Sequence, residues 1–279
     1  DGQLVANEFV ISEDYNETDG AAENAVFTTS AELVPLTSYV AVYPHSVTPE
    51  GNDIKISLQK ELDFTSAGTE EEINNVWKDY FNNNMIMIAS GTLSKSGRNY
   101  IQFNHQCVLA RITYTNQTGS NKQISGVRLG GNQLFSGSMV YNVAENYQSG
   151  SSKSSNYEVR MKGLNVDANE SVDLYVLFFP SEFDEGNMDI TILHPDGNKT
   201  ISLPINDLKT ANGVGFRAGT RCWFDITENQ NGLVWTKNLA TEGWIVFENK
   251  DFSKILYDML GNYKVSMNEE GCAVMSEAH

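Results

Sequence analysis

Apolar and polar residues alternate along most of this chain with the period of two that is typical of β-strands. The alternating runs are rich in Val, Ile, Tyr, Phe and Thr, and Gly, Asn, Asp and Ser separate them. The clearest runs are SYVAVYPHS (38–46), DIKISLQ (53–59), YIQFNHQCVLARITY (100–114), ISGVRLGG (124–131), SVDLYVLFFP (171–180), MDITILH (188–194), KTISLPI (199–205) and RCWFDIT (221–227). HPDGNK at 194–199 predicts a hairpin turn. The pattern therefore predicts an all-β fold of mostly antiparallel β-sandwiches.

Two segments follow a helical period instead. In residues 68–81, Thr69 precedes a run of glutamates, which predicts an N-cap and negative charge in the first turn of a helix. Residues 251–260 predict a second short helix with one apolar face. The apolar residues of the first helix, spaced i, i+3, i+4 and i+7, are Ile73, Val76, Trp77 and Tyr80.

The stretch NYQSGSSKSSNYEV at 146–159 predicts a linker, because Ser, Gly and Asn bury little surface and leave a chain flexible. The strand pattern changes again after Thr227. We therefore expect an N-terminal β-sandwich over 1–150, a C-terminal β-sandwich over 151–229 and a helical appendage over 230–279.

The charge of the chain disfavours some classes of binding partner. With 36 acidic and 19 basic residues the chain carries a formal charge of −17, so a nucleic-acid backbone or an anionic lipid surface would repel it. No apolar run approaches the roughly 18–20 residues of a membrane helix, and the opening residues DGQLVANEFV have neither the basic nor the apolar region of a signal peptide. Because the sequence opens with Asp1 instead of methionine, we expect a longer precursor.

Residues 100–114 hold the strongest candidate for chemistry, because His105 stands two residues from Cys107. In a strand these side chains share one face and could form a thiolate with its base, or half of a metal site. Most of the remaining residues are apolar on both faces, as in a central strand covered on both sides. The neighbouring sequence also lacks the cationic surround that stabilises a thiolate. We therefore predict a central structural strand with Cys107 buried.

No other group of residues indicates catalysis, a cofactor or a metal. Residues 258–269 fit a calcium loop only in part, because Leu260 offers no oxygen and Tyr263 replaces the glycine of the sharp turn. The remaining histidines and cysteines match no zinc or redox spacing: His45, His194, His279, Cys222 and Cys272. We expect a protein that is not an enzyme and has no catalytic, cofactor-binding or metal residues.

The order of the segments resembles the fimbrillin-like (Mfa-like) proteins of Bacteroides-type bacteria, which are surface lipoproteins and subunits of type V fimbriae. The resemblance spans about residues 26–228 and lies in pattern and order. The segments that carry it are YVAVYP (39–44), MIMIASGTL (85–93), IQFNHQCVLARITYTN (101–116), ISGVRLGG (124–131), VDLYVLFFPSEF (172–183) and FRAGTRCWFDIT (216–227).

This resemblance implies two tandem transthyretin-like β-sandwiches and assembly by strand exchange with other fimbrial subunits, or contact with host or bacterial surface ligands. It also implies a location at the cell surface, with outer-membrane attachment through a lipid-modified cysteine upstream of the chain. Polymerising members are typically cleaved after a basic residue behind the first strand, whereas the first basic residue here is Lys55. This departure favours an anchor, a tip or a stand-alone surface subunit.

The tail at 244–278 looks like the degenerate calcium-loop element that joins a fimbrillin-like region to leucine-rich repeats in related surface proteins.

Two other functions stay open. A carbohydrate-binding β-sandwich would need exposed aromatic faces, and a glycoside hydrolase would need a pair of carboxylates in a groove, which the sequence does not single out. The candidate aromatic platforms are Trp77, Trp223, Trp235 and Trp244.

Overall fold

The computed structural model describes residues 10–11, 27–28, 30, 32, 34–44, 49–95, 101–145, 147–149, 152–180, 186–204, 216, 218–236, 246–248, 263–267 and 273–277. This part of the chain contains one helix, α1 (Glu70–Asn84), and many short strands, which confirms the predicted all-β class. The strands up to residue 105 are β1 (Val10–Ile11), β2 (Phe27–Thr28), β3 (Ser38–Tyr43), β4 (Pro49–Glu50), β5 (Asp53–Ser57), β6 (Glu61–Asp63), β7 (Met87–Thr92) and β8 (Asn104–His105).

The later strands supply most of the core. They are β9 (Val108–Asn116), β10 (Lys122–Gly131), β11 (Phe135–Ser136), β12 (Ser138–Asn142), β13 (Tyr147–Ser149), β14 (Lys153–Ser154), β15 (Tyr157–Val166), β16 (Ser171–Phe178), β17 (Asn187–Leu193), β18 (Lys199–Pro204), β19 (Thr220–Asn229), β20 (Gly232–Thr236), β21 (Val246–Glu248), β22 (Tyr263–Met267) and β23 (Ala273–Glu277).

Two sheets face each other as a β-sandwich. Sheet 1 has the strand order β18-β17-β10-β15-β6, and sheet 2 has the order β16-β9-β19-β20, with β21 also paired to β19. Strand β9 is central in sheet 2, between antiparallel β16 and parallel β19. Its residues Val108, Ala110, Ile112 and Tyr114 are fully buried between the sheets. Tyr157 of sheet 1 donates a hydrogen bond across this core to the carbonyl of Leu177 in sheet 2 (2.8 Å).

Smaller sheets extend the molecule. A sheet of order β3-β7-β8 and another of order β13-β12-β5-β4 use the strands on either side of α1 in sequence, and three pairs of short strands lie elsewhere (β1-β2, β11-β14 and β22-β23). Ile54 and Ile56 of β5 and Ile88 of β7 belong to the same buried cluster as the residues between sheets 1 and 2.

Helix α1 begins where the sequence predicts. Thr69 is the N-cap, and its hydroxyl accepts the N–H of Glu72 (3.3 Å) while the Glu72 carboxylate accepts the N–H of Thr69 (3.0 Å). This capping box satisfies backbone donors that the first helical turn leaves without partners. The buried face of the helix includes Phe81, the last residue of the predicted segment, and continues past it to Asn84.

The predicted strand over residues 101–114 is wrong as a single element. It is split into β8 and β9, and β8 joins β7 in a different sheet. The N–H of Gln106 donates to the carbonyl of Ile86 (2.8 Å), and the carbonyl of Cys107 accepts the N–H of Gly219 (2.9 Å). These bonds replace ladder pairing at the break. The predicted central position is confirmed for β9, and the predicted hairpin at 194–199 is confirmed between β17 and β18.

The division of the chain at residues 150 and 229 stays a prediction, as does the tandem transthyretin-like arrangement. Strand pairing nevertheless connects both sides of residue 150, because β10 pairs with β15 and β9 pairs with β16. The predicted linker at 146–159 contains β13, β14 and the start of β15. The linker was predicted because small polar side chains bury little surface. Strands pair through backbone groups, however, and small polar side chains do not prevent that pairing.

The structure describes only part of the C-terminal segment. The predicted helix at 251–260 lies outside the described residues, as do Asp258, Asn262 and Glu269 of the calcium-loop alignment. Of residues 258–269 the structure describes β22 alone, which pairs with β23 as antiparallel strands. The described part of the appendage is thus extended, not helical.

Candidate functional site

The Cys107 thiol lies in the core, next to the end of α1. Its side chain is only 2 % exposed, and Sγ donates to the carbonyl of Asn84 (3.5 Å). Burial raises the pKa of this thiol to about 12, so it is protonated at neutral pH. His105 lies in β8, opposite Met87 in a different sheet from β9. The two residues therefore do not form a thiolate with its base, and the prediction that Cys107 is buried is confirmed.

His194 is isolated in sequence but not in the structure. Its Nδ1 lies 2.9 Å from the carbonyl of Gln123, and its Nε2 lies 2.8 Å from Glu228 Oε2 at an angle outside hydrogen-bond geometry. Tyr114 donates its hydroxyl to the same Glu228 oxygen (2.7 Å). Lys122 reaches the rim of this group, with Nζ 3.9 Å from Glu228 Oε1.

The His194 and Glu228 side chains are essentially unexposed, so a ligand cannot reach them. Burial, followed by the hydrogen bond to Glu228, raises the pKa of Tyr114. This buried group connects β9, β10, the β17–β18 turn and β19 at one end of the sandwich. Its role is structural, and sequence spacing gave no sign of it because its members lie on four different segments.

The outward side of sheet 2 is the most distinctive polar surface of the described residues. Arg111 of β9 has direct neighbours on both adjacent strands, Tyr175 on β16 and Trp223 on β19. One step along the sheet, Thr113 lies between Asp173 and Asp225 in the same way. These side chains alternate with the core residues of the same strands, so they point away from sheet 1.

Helix α1 covers one end of this side. Its Trp77 and Phe81 rings contact the Tyr175 ring edge-on, with centroids 5.0 and 5.2 Å apart. Tyr80 of the helix also accepts the N–H of Leu177 (3.0 Å). Beyond Tyr175 the described part of the chain leaves the sheet uncovered, and Asp225 is exposed.

Ion pairing fixes the side chains on the open part. The Arg111 guanidinium bonds the Asp173 carboxylate at 2.5 Å, and the other oxygen of that carboxylate accepts the Thr113 hydroxyl at 2.7 Å. Burial opposes the charged form of Arg111, but the hydrogen bond and charge of Asp173 outweigh it and raise the pKa of the guanidinium. Partial desolvation at the sheet raises the pKa of Asp225 although its side chain reaches solvent. Nearby Arg111 acts in the opposite direction, and Asp173 adds to the rise.

Trp223 is the aromatic residue of this surface. The guanidinium carbons of Arg111 and Arg221 lie 5.2 and 4.5 Å from the centroid of its ring, within the range of cation–π contacts. Part of the residue remains exposed. Of the other predicted aromatic platforms, Trp77 is buried, Trp235 packs against the core and Trp244 lies outside the described residues.

A second surface lies along β3. This strand pairs with β7, and no other partner strand is found among the described residues. Val40 and Val42 pack against the core while staying partly exposed, and Tyr43 is exposed. Just before β3, Val34 and Leu36 are 63 % and 61 % exposed. The result is an apolar strand edge that is open to solvent within the described part of the chain.

The described residues bring together no group of three or more His, Cys, Asp or Glu side chains that could hold a metal ion. Within the same ranges, no helix has the length and hydropathy needed to span a bilayer.

Comparisons with known proteins give matches among solved structures only; no family model and no curated protein matches. One similar structure is a "putative cell adhesion protein" from Bacteroides uniformis, with 17% identity, 81% of each chain covered and a TM-score of 0.49. Another of the same description, from Bacteroides ovatus, has 14% identity, covers 77% of this chain and 72% of that one, and has a TM-score of 0.44.

A fimbrial protein from Bacteroides vulgatus is also similar, with 14% identity, 75% of this chain and 70% of that one covered, and a TM-score of 0.30. These structural neighbours fall in the class that the sequence resemblance names, the adhesion and fimbrial proteins of Bacteroides-type bacteria.

Proposed function

We propose that the chain is a cell-surface adhesion or fimbrial protein, an anchor, tip or stand-alone subunit, that acts by adding a partner's strand to an open sheet edge. The observation that carries the proposal is the edge of β3. A strand edge presents a row of backbone N–H and C=O groups, and an extended segment of a partner can satisfy them while its side chains cover the apolar surface.

The two edges of sheet 1 are better protected. Strand β6, at one edge of sheet 1, has only three residues, and Glu61 and Asp63 are two of them. Strand β18, at the opposite edge, carries Lys199 at its start and Pro204 at its end. Short length, charge and proline are the devices by which proteins block unwanted strand pairing. Strand β3 has six residues, SYVAVY, with no charge and no proline.

Lysine on the β3 edge should block strand addition, so Ala41→Lys tests the proposal. Val40 and Val42 face the core, so Ala41 lies on the opposite side of the strand, where lysine can reach solvent. Cells of the source bacterium that lack the native gene would be complemented with either version and cross-linked whole. We expect high-molecular-weight adducts of the chain with the unmodified version, and at least a tenfold reduction with Ala41→Lys.

Asn165→Lys is the matched control. It puts the same charge on an exposed position of β15, a strand that has partners on both sides. Adducts should persist in this variant, with equal amounts of all three proteins on the cell surface. Equal cross-linking of Ala41→Lys and the unmodified chain would contradict strand addition at β3, and antibody labelling only after cell lysis would contradict the surface location.

Attachment to the outer membrane through a lipidated cysteine upstream of Asp1 is part of the same proposal. Mass spectrometry of the N-terminus of the protein purified from cells tests it, and an unmodified N-terminus would remove the lipid anchor from the proposal.

A further inference from the structure

The open part of sheet 2 has the composition of a ligand site. We call it the Trp223 face and define it by Arg111, Thr113, Asp173, Trp223 and Asp225. Arg111 and Asp173 form an ion pair on this face, and Asp225 is exposed beside Thr113. Further along the same side, the register adds more hydroxyl groups, from Thr115, Ser171, Thr227 and Thr236.

These groups are held in place before any ligand arrives. Each lies on a strand of a continuous ladder, and Asp173 is bound by both Arg111 and Thr113. Side chains on strands are positioned more precisely than side chains on loops, and fixed side chains lose less entropy when a ligand binds. The face lies on three neighbouring strands, about 10 Å across at roughly 4.8 Å per strand spacing, and it continues along the strands to the hydroxyl groups, which leaves room for a short oligosaccharide.

The chemistry of the face favours one class of ligand. On this face Arg111 is paired with Asp173 and the Asp225 carboxylate stays accessible, so the face carries a small negative charge and disfavours an anionic ligand. Its carboxylates disfavour nucleic acid, and Val234 is its only strongly exposed large apolar side chain among the described residues. Sugar hydroxyls can both donate to carboxylates and accept from guanidinium groups, while the C–H face of a sugar ring packs on an aromatic ring.

We propose that the Trp223 face binds a neutral oligosaccharide. A sugar ring packs against the exposed part of Trp223, and its hydroxyls donate to the Asp225 carboxylate and accept from Arg111. This site is separate from the β3 edge, and the proposal does not depend on strand addition. It would give a surface protein of this kind a direct means of holding on to a glycan.

The test uses the whole chain on an array of neutral and sialylated oligosaccharides, followed by calorimetry with the neutral oligosaccharide that gives the strongest array signal. Asp225→Asn removes one charged acceptor from an exposed position and should weaken binding about tenfold, in line with the loss of a hydrogen bond to a charged group. Trp223→Ala removes the ring and should abolish binding. Glu61→Gln, exposed on β6 of the other sheet, is the control and should bind as the unmodified chain does.

Melting curves establish that each variant is folded, and Asp225→Asn keeps the test decisive if Trp223→Ala does not fold. The proposal is overturned by a blank array, by preference for sialylated over neutral oligosaccharides, or by unchanged affinity of folded Asp225→Asn. Ala41→Lys should retain full glycan binding. Loss of cross-linked adducts in Ala41→Lys together with a blank array would support the strand-addition proposal alone. Glycan binding that is lost in Trp223→Ala, together with unchanged adducts in Ala41→Lys, would support this proposal alone.

Discussion

At the scale of single residues, burial decides which candidate groups can react. Cys107 has the sequence context of a reagent, yet the fold places its thiol among apolar neighbours and against the carbonyl of Asn84. Cys222 is buried too, and burial raises the pKa of its thiol well above the ordinary value. The Trp223 face, by contrast, keeps polar side chains accessible, among them Asp225, and sequence reasoning about reactive pairs did not point to them.

The raised pKa of Cys107 predicts how stability depends on pH. Because the folded-state pKa of about 12 lies above the unfolded value of about 8.5, the protonated thiol's contribution is complete below pH ~8.5 and is lost as the pH rises toward 12. Cys107→Ala should therefore flatten the decline of the unfolding free energy above pH ~8.5, by up to about 1.4 kcal/mol per pH unit.

Urea denaturation at a series of pH values measures this slope. The Cys107→Ser variant, which keeps a polar group but does not ionise in this range, should flatten the decline in the same way. Parallel curves for the unmodified chain and Cys107→Ala would show that the thiol ionises as readily in the folded state as in the unfolded one.

At the scale of elements, local signals predict structure where an element depends on its own sequence. Helix α1 is the clearest case, since the Thr69 cap, the acidic first turn and the apolar spacing all lie within the segment itself. The sequence predicts the central position of β9 correctly but starts the strand several residues too early. The break at residues 106–107 depends on backbone bonds to Ile86 and Gly219, which are distant in sequence. Periodicity along one segment carries no information about such partners.

The cap of α1 gives a prediction at this scale. Thr69→Ala removes the hydroxyl that accepts the N–H of Glu72 and should lower the unfolding free energy by about 1 kcal/mol. Ser66→Ala, an exposed change in the preceding turn, is the control and should cost less than about 0.5 kcal/mol. Chemical denaturation followed by circular dichroism measures both, and equal stabilities of the two variants would mean that the cap contributes nothing measurable.

At the scale of the whole molecule, the all-β class and the turn chemistry follow from the sequence, whereas the pairing of distant segments does not. The parallel pairing of β9 with β19 joins Arg111 to Trp223, and no local pattern specifies that register. The same holds for the ion pair of Arg111 with Asp173, 62 residues away. The candidate surfaces thus arise from topology, and only Trp223 was singled out beforehand, as one aromatic platform among four.

The edge of β3 belongs to this scale as well, because an edge exists only once the strand order is known. The sequence shows the apolar run SYVAVY, but such a run is equally compatible with a buried central strand. Pairing with β7 alone, among the described residues, is what makes it a candidate for a partner's strand.

Hydrogen exchange of the β3 backbone amides, compared between the purified chain and assemblies released from the cell surface, tests strand addition most directly. In the purified chain we expect the outward-facing amides of residues 38–43 to exchange quickly, because no ladder partner faces them in the described part of the chain. In the assemblies the same amides should be protected at least a hundredfold, while exchange in β9 stays unchanged. Equal exchange of β3 in both samples would contradict the account.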